Sequence, residues 1–334
     1  MPIFIRGLKL HGKLVRDYYK RKKTYVPREG GFVLLFACGL MITIFPLIIY
    51  FTRRFFDIFD IPLKEPVLLE FNYFVVLIIL MFGLFGMMDD YIDITRPLKV
   101  LMPVFLVMPI ILTFNQFNQY DQIWFPFFGN IDMNFTVING IRFDWLYRFL
   151  VIPLYIIVVS NLVNMHSGFN GLQSGLSSII LITLLIKSIY DAETQHLIAI
   201  GGLTGAIIAL WFFNWYPAQI FEGNTGSLMI GAGIGLLIII RGYHFAGFIM
   251  LLPHTVNFLM YLYWRIHYKL HPGDPKYKLT KFGGLRKDGT LRVPNQFTLK
   301  WILPYRYRMT ERQAVLVMYS ITIIFCIIGF FVPG

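Results

Sequence analysis

Three acids close a long apolar run: Met87-Met88-Asp89-Asp90-Tyr91-Ile92-Asp93 follows a greasy stretch that begins at Phe74. Only 14% of the residues are charged, so acids in such a place stand out. A carboxylate set into hydrocarbon costs several kcal/mol, and acids at a membrane span point first to function. Neighbouring like charges also need a cation to sit together. Asp89, Asp90 and Asp93 supply hard oxygen ligands suited to Mg²⁺, and a carboxylate left off the metal can act as a base. Lys99, ten residues after Asp89, can hold an anionic headgroup as a point charge. The plain alternatives are a solvated span end that happens to be acidic, and a lysine that snorkels to the interface.

Three further clusters carry polar chemistry. In Asn161-Leu162-Val163-Asn164-Met165-His166-Ser167-Gly168-Phe169-Asn170-Gly171-Leu172, Asn161 and Asn164 are three apart and share one face of a span end. Their amide oxygens can ligate Mg²⁺ or accept hydrogen bonds. Gly168 and Gly171 suggest a tight turn where backbone approaches a ligand, and Asn170 could read a base edge. Interhelical hydrogen bonding would account for a single Asn but less well for three. His166 is left without a role. In Phe221-Glu222-Gly223-Asn224-Thr225-Gly226-Ser227, a glycine-bounded turn opens a helix, whose free N–H groups favour phosphate. Capping by Asn224, Thr225 or Ser227 is the plain alternative, and Phe221 either stacks on a base or sits in the core. The last cluster runs from Arg16-Asp17-Tyr18-Tyr19-Lys20 through Pro27-Arg28-Glu29-Gly30; its charge reads mostly as attraction to a membrane surface.

The elements that must hold these clusters are membrane spans. Hydrophobic residues make up 57% of the 334 and aromatics 17%, with a mean hydropathy of +0.63. This composition indicates an all-α polytopic integral membrane protein. Nine spans are expected near 31–51, 68–88, 98–114, 146–165, 172–190, 195–214, 226–241, 244–264 and 312–332, with kinks at Pro46, Pro103, Pro109, Pro153 and Pro253. Gly201-x-x-x-Gly205 and Gly231-x-x-x-Gly235 read as close helix packing. Cys38 and Cys326 lie in apolar runs, which argues against a disulfide framework or a thiolate metal site. No cleavable signal peptide is visible, since long apolar sequence starts only after Gly30.

Residues 1–30 form a basic segment, with Phe4, Leu8, Val15 and Tyr18 spaced for an amphipathic surface helix. Residues 31–264 form the membrane core, 265–311 a polar loop subdomain and 312–334 the last span. Within the loop, Lys287-Asp288-Gly289-Thr290 reads as a tight hairpin turn. With the N-terminus inside, the inner segments and their edges hold 23 of the 30 Lys and Arg. The positive-inside rule therefore places the N-terminus and all four clusters on the cytoplasmic face. The net charge of +12 fits cytoplasmic loops and anionic ligands rather than nucleic acid. Residues 115–144 form an outer loop with nothing functional to read.

The order Pro-x-Glu-Gly, Asp-Asp-x-x-Asp, Asn-x-x-Asn-x-x-x-Gly-x-Asn-Gly-Leu, then Tyr-Pro-x-x-x-Phe-x-Gly-Asn-Thr-Gly-Ser-Leu resembles the polyprenyl-phosphate N-acetylhexosamine-1-phosphate transferases. This superfamily includes the bacterial phospho-MurNAc-pentapeptide translocase and the dolichyl-phosphate GlcNAc-1-phosphotransferase of archaea and eukaryotes. The resemblance runs from residue 12 to about residue 310. The Arg-Asp-x-x-Lys run at 16–20 and the large loop before the last span are similar to the dolichol-type branch, and the His-rich signature of the bacterial loop is missing.

The resemblance implies that Asp89 and Asp90 are the catalytic acid pair, with Asp93 as the third acid of the motif. It implies Asn164, Asn224 and Asp90 as ligands of Mg²⁺, with Mn²⁺ as the alternative. Gly168, Asn170, Phe221 and Glu29 would contact the nucleotide, Lys99 and Asn161 the phosphates, and the basic loop would close over the sugar. Implied partners are UDP-GlcNAc or another UDP-N-acetylhexosamine, a polyprenyl or dolichyl phosphate, and membrane lipids; a dimer is compatible. The implied location is the cell membrane of an archaeon or the endoplasmic reticulum of a eukaryote. Two features depart from the pattern. The family usually has Asp where this chain has Asn224, which removes a charge from the metal site; Glu222 is a substitute. The family also has ten spans, and this chain starts where the second would follow.

The expected reaction is phosphoryl transfer: a lipid phosphate attacks the β-phosphorus of UDP-GlcNAc and UMP leaves. One rival is a transporter using Asp89 and Asp90 for ion coupling, which would place acids in broken helices of repeated halves. A second is a catalytically weakened relative kept as a binding or scaffold protein, suggested by Asn224. A CDP-alcohol phosphotransferase would need an Asp-x-x-Asp-Gly motif that this chain lacks.

Overall fold

The computed structural model describes residues 1–12, 14–58, 73–92, 94–117, 122–126, 129–132, 136–138, 140–191 and 197–333. The chain opens with α1 (Pro2–His11), then a hairpin of β1 (Leu14–Asp17) and β2 (Thr24–Pro27), and then the long apolar α2 (Gly31–Ile58). The helical spacing expected through Tyr18 therefore stops at His11. Leu14 to Asp17 pair with Thr24 to Pro27 instead, and the hairpin buries Asp17 and Tyr19 on one side.

Next come α3 (Tyr73–Ile92), which ends with the acid pair, and α4 (Arg96–Phe117). The expected outer loop after α4 contains two small antiparallel strand pairs, β3 (Gln122–Phe125) with β4 (Gly129–Asp132) and β5 (Thr136–Ile138) with β6 (Ile141–Arg142). A continuous helical span then runs from α5 (Phe143–Leu146) through a π-helical turn, Tyr147–Val151, into α6 (Ile152–Met165). It is followed by α7 (Leu172–Tyr190), α8 (Leu197–Asn214), α9 (Gly223–Ile240), α10 (His244–Met250) and α11 (Leu252–Leu270). In the loop, β7 (Gly284–Leu285) pairs with β8 (Leu291–Arg292) around the expected turn, where Gly289 has φ +87°. Finally α12 (Leu299–Arg306) leads into α13 (Glu311–Phe330).

Among the described residues, seven helices are long and apolar enough to cross a membrane, and α10 with α11 makes an eighth, bent by 63°. Pro253 stands at the start of α11, where it cannot donate to the preceding turn, so the expected kink is a full break. The span expected at 98–114 is α4, whose apolar stretch Pro97–Ile110 is shorter than the others and contains Pro103 and Pro109.

The axis of the bundle is α9, in which every residue from Thr225 to Ile240 is buried. A helix that is apolar all round belongs inside, and α3 and α6 pack along it. A Cβ on Gly231 would lie 2.6 Å from Ser160 Cα, and one on Gly235 3.1 Å from Val159 Cβ, so this glycine pair does seat α9 on α6. Gly201 and Gly205 face open space; Gly202 takes the packing role instead, against Met41 and Phe45. Ser160 Oγ donates to Leu228 O at 3.0 Å across the α6–α9 contact, a bond worth about 0.6 kcal/mol in a membrane interior. A second apolar cluster joins Trp264, Tyr277, Leu291 and Trp301 to Tyr19 and Phe169, which anchors the polar loop beside the N-terminal hairpin.

Candidate active site

Asp89 and Asp90 are consecutive on a helix, so their side chains leave about 100° apart and meet different partners. Asp89 pairs with Lys99 Nζ at 2.7 Å and accepts from Asn224 Nδ2 at 3.0 Å. Asp90 pairs with the Arg28 guanidinium and accepts from Thr225 N at 3.2 Å and Thr225 Oγ1 at 3.3 Å. Both carboxylates are nearly buried, with side-chain exposures of 7% and 8%. Burial is tolerated because each acid has its own cation and the positive end of α9 points at Asp90. The approach needs Gly86: a Cβ there would lie 2.8 Å from Thr225 Cα.

Two cavities meet at this pair. A cleft of about 490 Å³ is lined by Asp90, Arg28, Asn164, Gly168, Phe221 and Asn224, among others. A smaller pocket of about 170 Å³ is lined by Asp89, Lys99, Asn161, Asn164 and Asn224, with apolar walls from Phe82, Phe85, Pro103 and Leu228. Asn164 and Asn224 line both. The large cleft falls within the 300–1,000 Å³ or so typical of small-ligand sites.

One wall of the cleft is the turn after α6. Gly168 has φ +102°, a conformation that favours glycine. Asn170 is buried, and its Oδ1 accepts from Ala218 N at 2.8 Å, so its carbonyl holds the 214–222 segment. Asn214 Oδ1 accepts from Gly171 N at 2.9 Å, and Asn214 Nδ2 donates to Ile220 O at 2.8 Å. These bonds explain why Phe221 presents at the cleft, where it is a lining residue. Burial pushes the Glu222 carboxyl up from its ordinary value, and Glu222 accepts from Ser174 N at 3.2 Å rather than joining the acid pair. His166 is buried against His254, ring centroids 4.7 Å apart, and burial holds its pKa well below the usual value.

The opposite wall is the N-terminal hairpin with the polar loop. Tyr18 stacks on Phe282 with centroids 4.2 Å apart and planes within 9°, and Gly283 N donates to Tyr19 Oη at 3.1 Å. Arg16, Asp17, Tyr18, Tyr19, Lys281 and Phe282 all line the cleft.

The structure thus brings Asp89, Asp90, Lys99, Asn161, Asn164 and Asn224 together, with Gly168, Asn170 and Phe221 around the same cleft. Glu29 is buried near Gly12 and is not among the lining residues of either cavity. Asp93 lies outside the described residues. Sequence reasoning missed Arg28, whose charge reads as surface attraction but which pairs with Asp90. It also missed Lys20, Asp17 and Glu311, which form a buried ion-paired group at 3.1 and 2.9 Å. The signal was present in the Asp-x-x-Lys spacing but gave no partner.

The donors at the junction are hard oxygens. Among the described residues no group of three or more His, Cys, Asp and Glu gathers to hold a metal. Two carboxylates with amide oxygens nevertheless fit Mg²⁺, which takes one or two carboxylates and completes its shell from water and substrate phosphates.

Residues 72–242 match the family described as glycosyl transferase family 4. A protein of Sulfolobus acidocaldarius named as a UDP-N-acetylglucosamine–dolichyl-phosphate N-acetylglucosaminephosphotransferase is 26% identical over 255 residues, 75% of this chain and 70% of that protein. A Methanocaldococcus jannaschii protein named as a glycosyltransferase is 26% identical over 328 residues, 98% of this chain and 90% of that one. The phospho-N-acetylmuramoyl-pentapeptide-transferase of Caldicellulosiruptor bescii is 30% identical over 247 residues, 70% of this chain and 68% of that protein. With its acid pair at the meeting point of two cavities, and with these relatives, the chain belongs to glycosyl transferase family 4.

Proposed function

We propose that this membrane protein transfers N-acetylglucosamine 1-phosphate from UDP-N-acetylglucosamine to a dolichyl or other polyprenyl phosphate and releases UMP. The observation that carries the reading is the junction: Asp90 opens on the large cleft, Asp89 on the small pocket, and Asn164 and Asn224 on both. A phosphoryl transfer needs donor and acceptor phosphates in line across one short gap, and two cavities that share Asn164 and Asn224 in their lining support that reading. The relatives' names supply the donor and acceptor classes.

The large cleft takes the nucleotide sugar. Phe221 offers a ring to the uracil, the turn at Gly168 lets the ribose approach backbone, and Arg28 reaches the diphosphate. Lys281 and Arg16 approach from the hairpin and loop side. The small pocket takes the lipid phosphate, with Lys99 as its point charge and Phe82, Phe85 and Leu228 against the first prenyl carbons. Asp89 orients the attacking oxygen and accepts its proton; the new P–O bond forms to the β-phosphorus while the bond to UMP breaks. Asp90, Asn164 and Asn224 would hold Mg²⁺, which would supply positive charge against the build-up on the diphosphate oxygens when bound. The excess of Lys and Arg on the site side supports a cytoplasmic active face.

The test is UMP release by purified protein given UDP-N-acetylglucosamine, a polyprenyl phosphate and Mg²⁺, with Asp89→Asn and Asp90→Asn as controls. Lipid-diphospho-sugar should form with the natural chain and fall by at least about a hundredfold in each control. Unchanged turnover in both controls would remove the acid pair from the mechanism.

A further inference from the structure

Two charged side chains from the last part of the chain hold the Ser167–Asn170 turn at its two ends. We propose that Lys300 and Glu311 are positioning residues for the nucleotide end of the cleft; this rests on the reading of that cleft as a nucleotide-sugar site.

Lys300, on α12, donates through Nζ to the Ser167 carbonyl, and the same ammonium lies 5.5 Å from the Phe169 ring centroid and 5.7 Å from that of Trp301. It also sits against Gly168: a Cβ there would lie 2.6 Å from Lys300 Nζ. Among the described residues no carboxylate forms an ion pair with it, and Glu311 is the acid whose field it feels. Burial pushes its pKa down to about 8. Holding a partly buried ammonium on a backbone carbonyl is a costly arrangement unless that carbonyl must stay where it is.

Glu311, the first residue of α13, is 2% exposed. Its Oε1 accepts from Asn170 N at 2.7 Å, and its Oε2 accepts from Lys20 Nζ at 2.9 Å. Lys20 is shared with Asp17 at 3.1 Å and lies 3.8 Å from the Tyr216 ring centroid. One carboxylate therefore ties the N-terminal hairpin to the turn after α6, with the 214–222 segment stacked alongside. The turn has no helix or strand of its own from Ser167 to Gly171. Its Ser167 carbonyl and Asn170 N–H take their partners from α12 and α13, while Gly168, Phe169 and Asn170 line the cleft. Lys300 and Glu311 are not among the lining residues, so they act on a ligand through the turn.

The consequence is a split between binding and chemistry. Lys300→Met removes the clamp on Ser167 and should weaken UMP binding at least about tenfold and raise KM for the UDP-sugar in step, with kcat kept within about twofold. Lys300→Arg keeps a donor for the carbonyl and should recover most of the affinity. Glu311→Gln keeps an acceptor for Asn170 N–H and should weaken binding less than Glu311→Leu, which keeps none. The experiment is calorimetric titration of UMP into the purified full chain and each variant, with UMP-release kinetics alongside and amide hydrogen exchange over 167–171. Exchange there should quicken in Lys300→Met while α7 stays unchanged, which keeps the test available if Glu311→Leu does not fold. Natural chain that does not bind UMP overturns the reading of the cleft and this proposal with it. Natural chain that binds, with Lys300→Met binding equally and 167–171 equally protected, overturns the proposal alone.

Discussion

Asn224 donates its side-chain N–H to Asp89 at 3.0 Å, from the first turn of α9 to the last turn of α3. An amide in this place bonds to the carboxylate it faces, whereas an acid would repel it unless a cation came between them. The Asn224 position thus sets how far the junction holds its shape without metal. Asn224→Asp should make the site depend on Mg²⁺ more steeply, with the half-saturating Mg²⁺ concentration falling about tenfold, as expected of one added charge near a cation. UMP release measured across a Mg²⁺ series checks this. A jump from no turnover to robust turnover would instead favour a natural chain that is a weakened binding protein.

Arg28 forms an ion pair with the nearly buried Asp90. Arg28→Met takes this cation away from a nearly buried carboxylate; the Arg28 side chain is 33% exposed, so the cost should fall below the roughly 3–5 kcal/mol of breaking a fully buried pair. We expect a loss of kcat/KM of at least about a hundredfold. Arg28→Met added to Asp90→Asn should cost little more than Asp90→Asn alone, which a double-mutant cycle on UMP release would read.

Gly86 and Gly201 make a matched pair of tests. Gly86→Ala forces α3 away from Thr225 at the acid pair, so overpacking should cost about 1–3 kcal/mol and lower both the melting temperature and activity. Gly201→Ala meets nothing within 4 Å and gains helix propensity, so it should leave activity unchanged and raise stability slightly. Thermal unfolding of both variants in the same detergent separates a packing cost from a general intolerance of substitution.

Lys300 predicts a pH dependence. Its pKa falls from 10.5 to about 8 on folding because burial disfavours the ammonium. Below pH 8 both states are protonated and the cost of burial is fully present. Between pH 8 and 10.5 the unfolded chain binds the proton and the folded one does not, so this contribution rises with pH. Relative to Lys300→Met, the natural chain should gain up to about 3 kcal/mol of stability across that window. Melting temperatures of the two proteins at pH 7.5, 9 and 10.5 check the sign; a gap that widens against the natural chain would contradict it.

The amino-acid sequence alone determined the membrane class, the position of the acid pair, the Asn-rich turn and the hairpin turn at 287–290. Each follows from a local rule: hydrocarbon demands long apolar runs and makes charge costly, and Asp-Gly demands a tight turn. Tertiary structure decided which charges meet. Arg28 and Asp90 are 62 positions apart, Asn224 and Asp89 are 135 apart, and Lys20 and Glu311 are 291 apart. Spacing along a chain reports one helix or strand at a time, so it placed Lys99 near Asp89 but read Arg28 and Lys20 as surface charge. The same limit hid the hairpin at 14–27, where Leu14–Asp17 pair with Thr24–Pro27 and Tyr19 accepts from Gly283 N of the polar loop, against the helical periodicity. It also favoured Gly201 over Gly202, because only the packed neighbours decide which face of α8 turns inward.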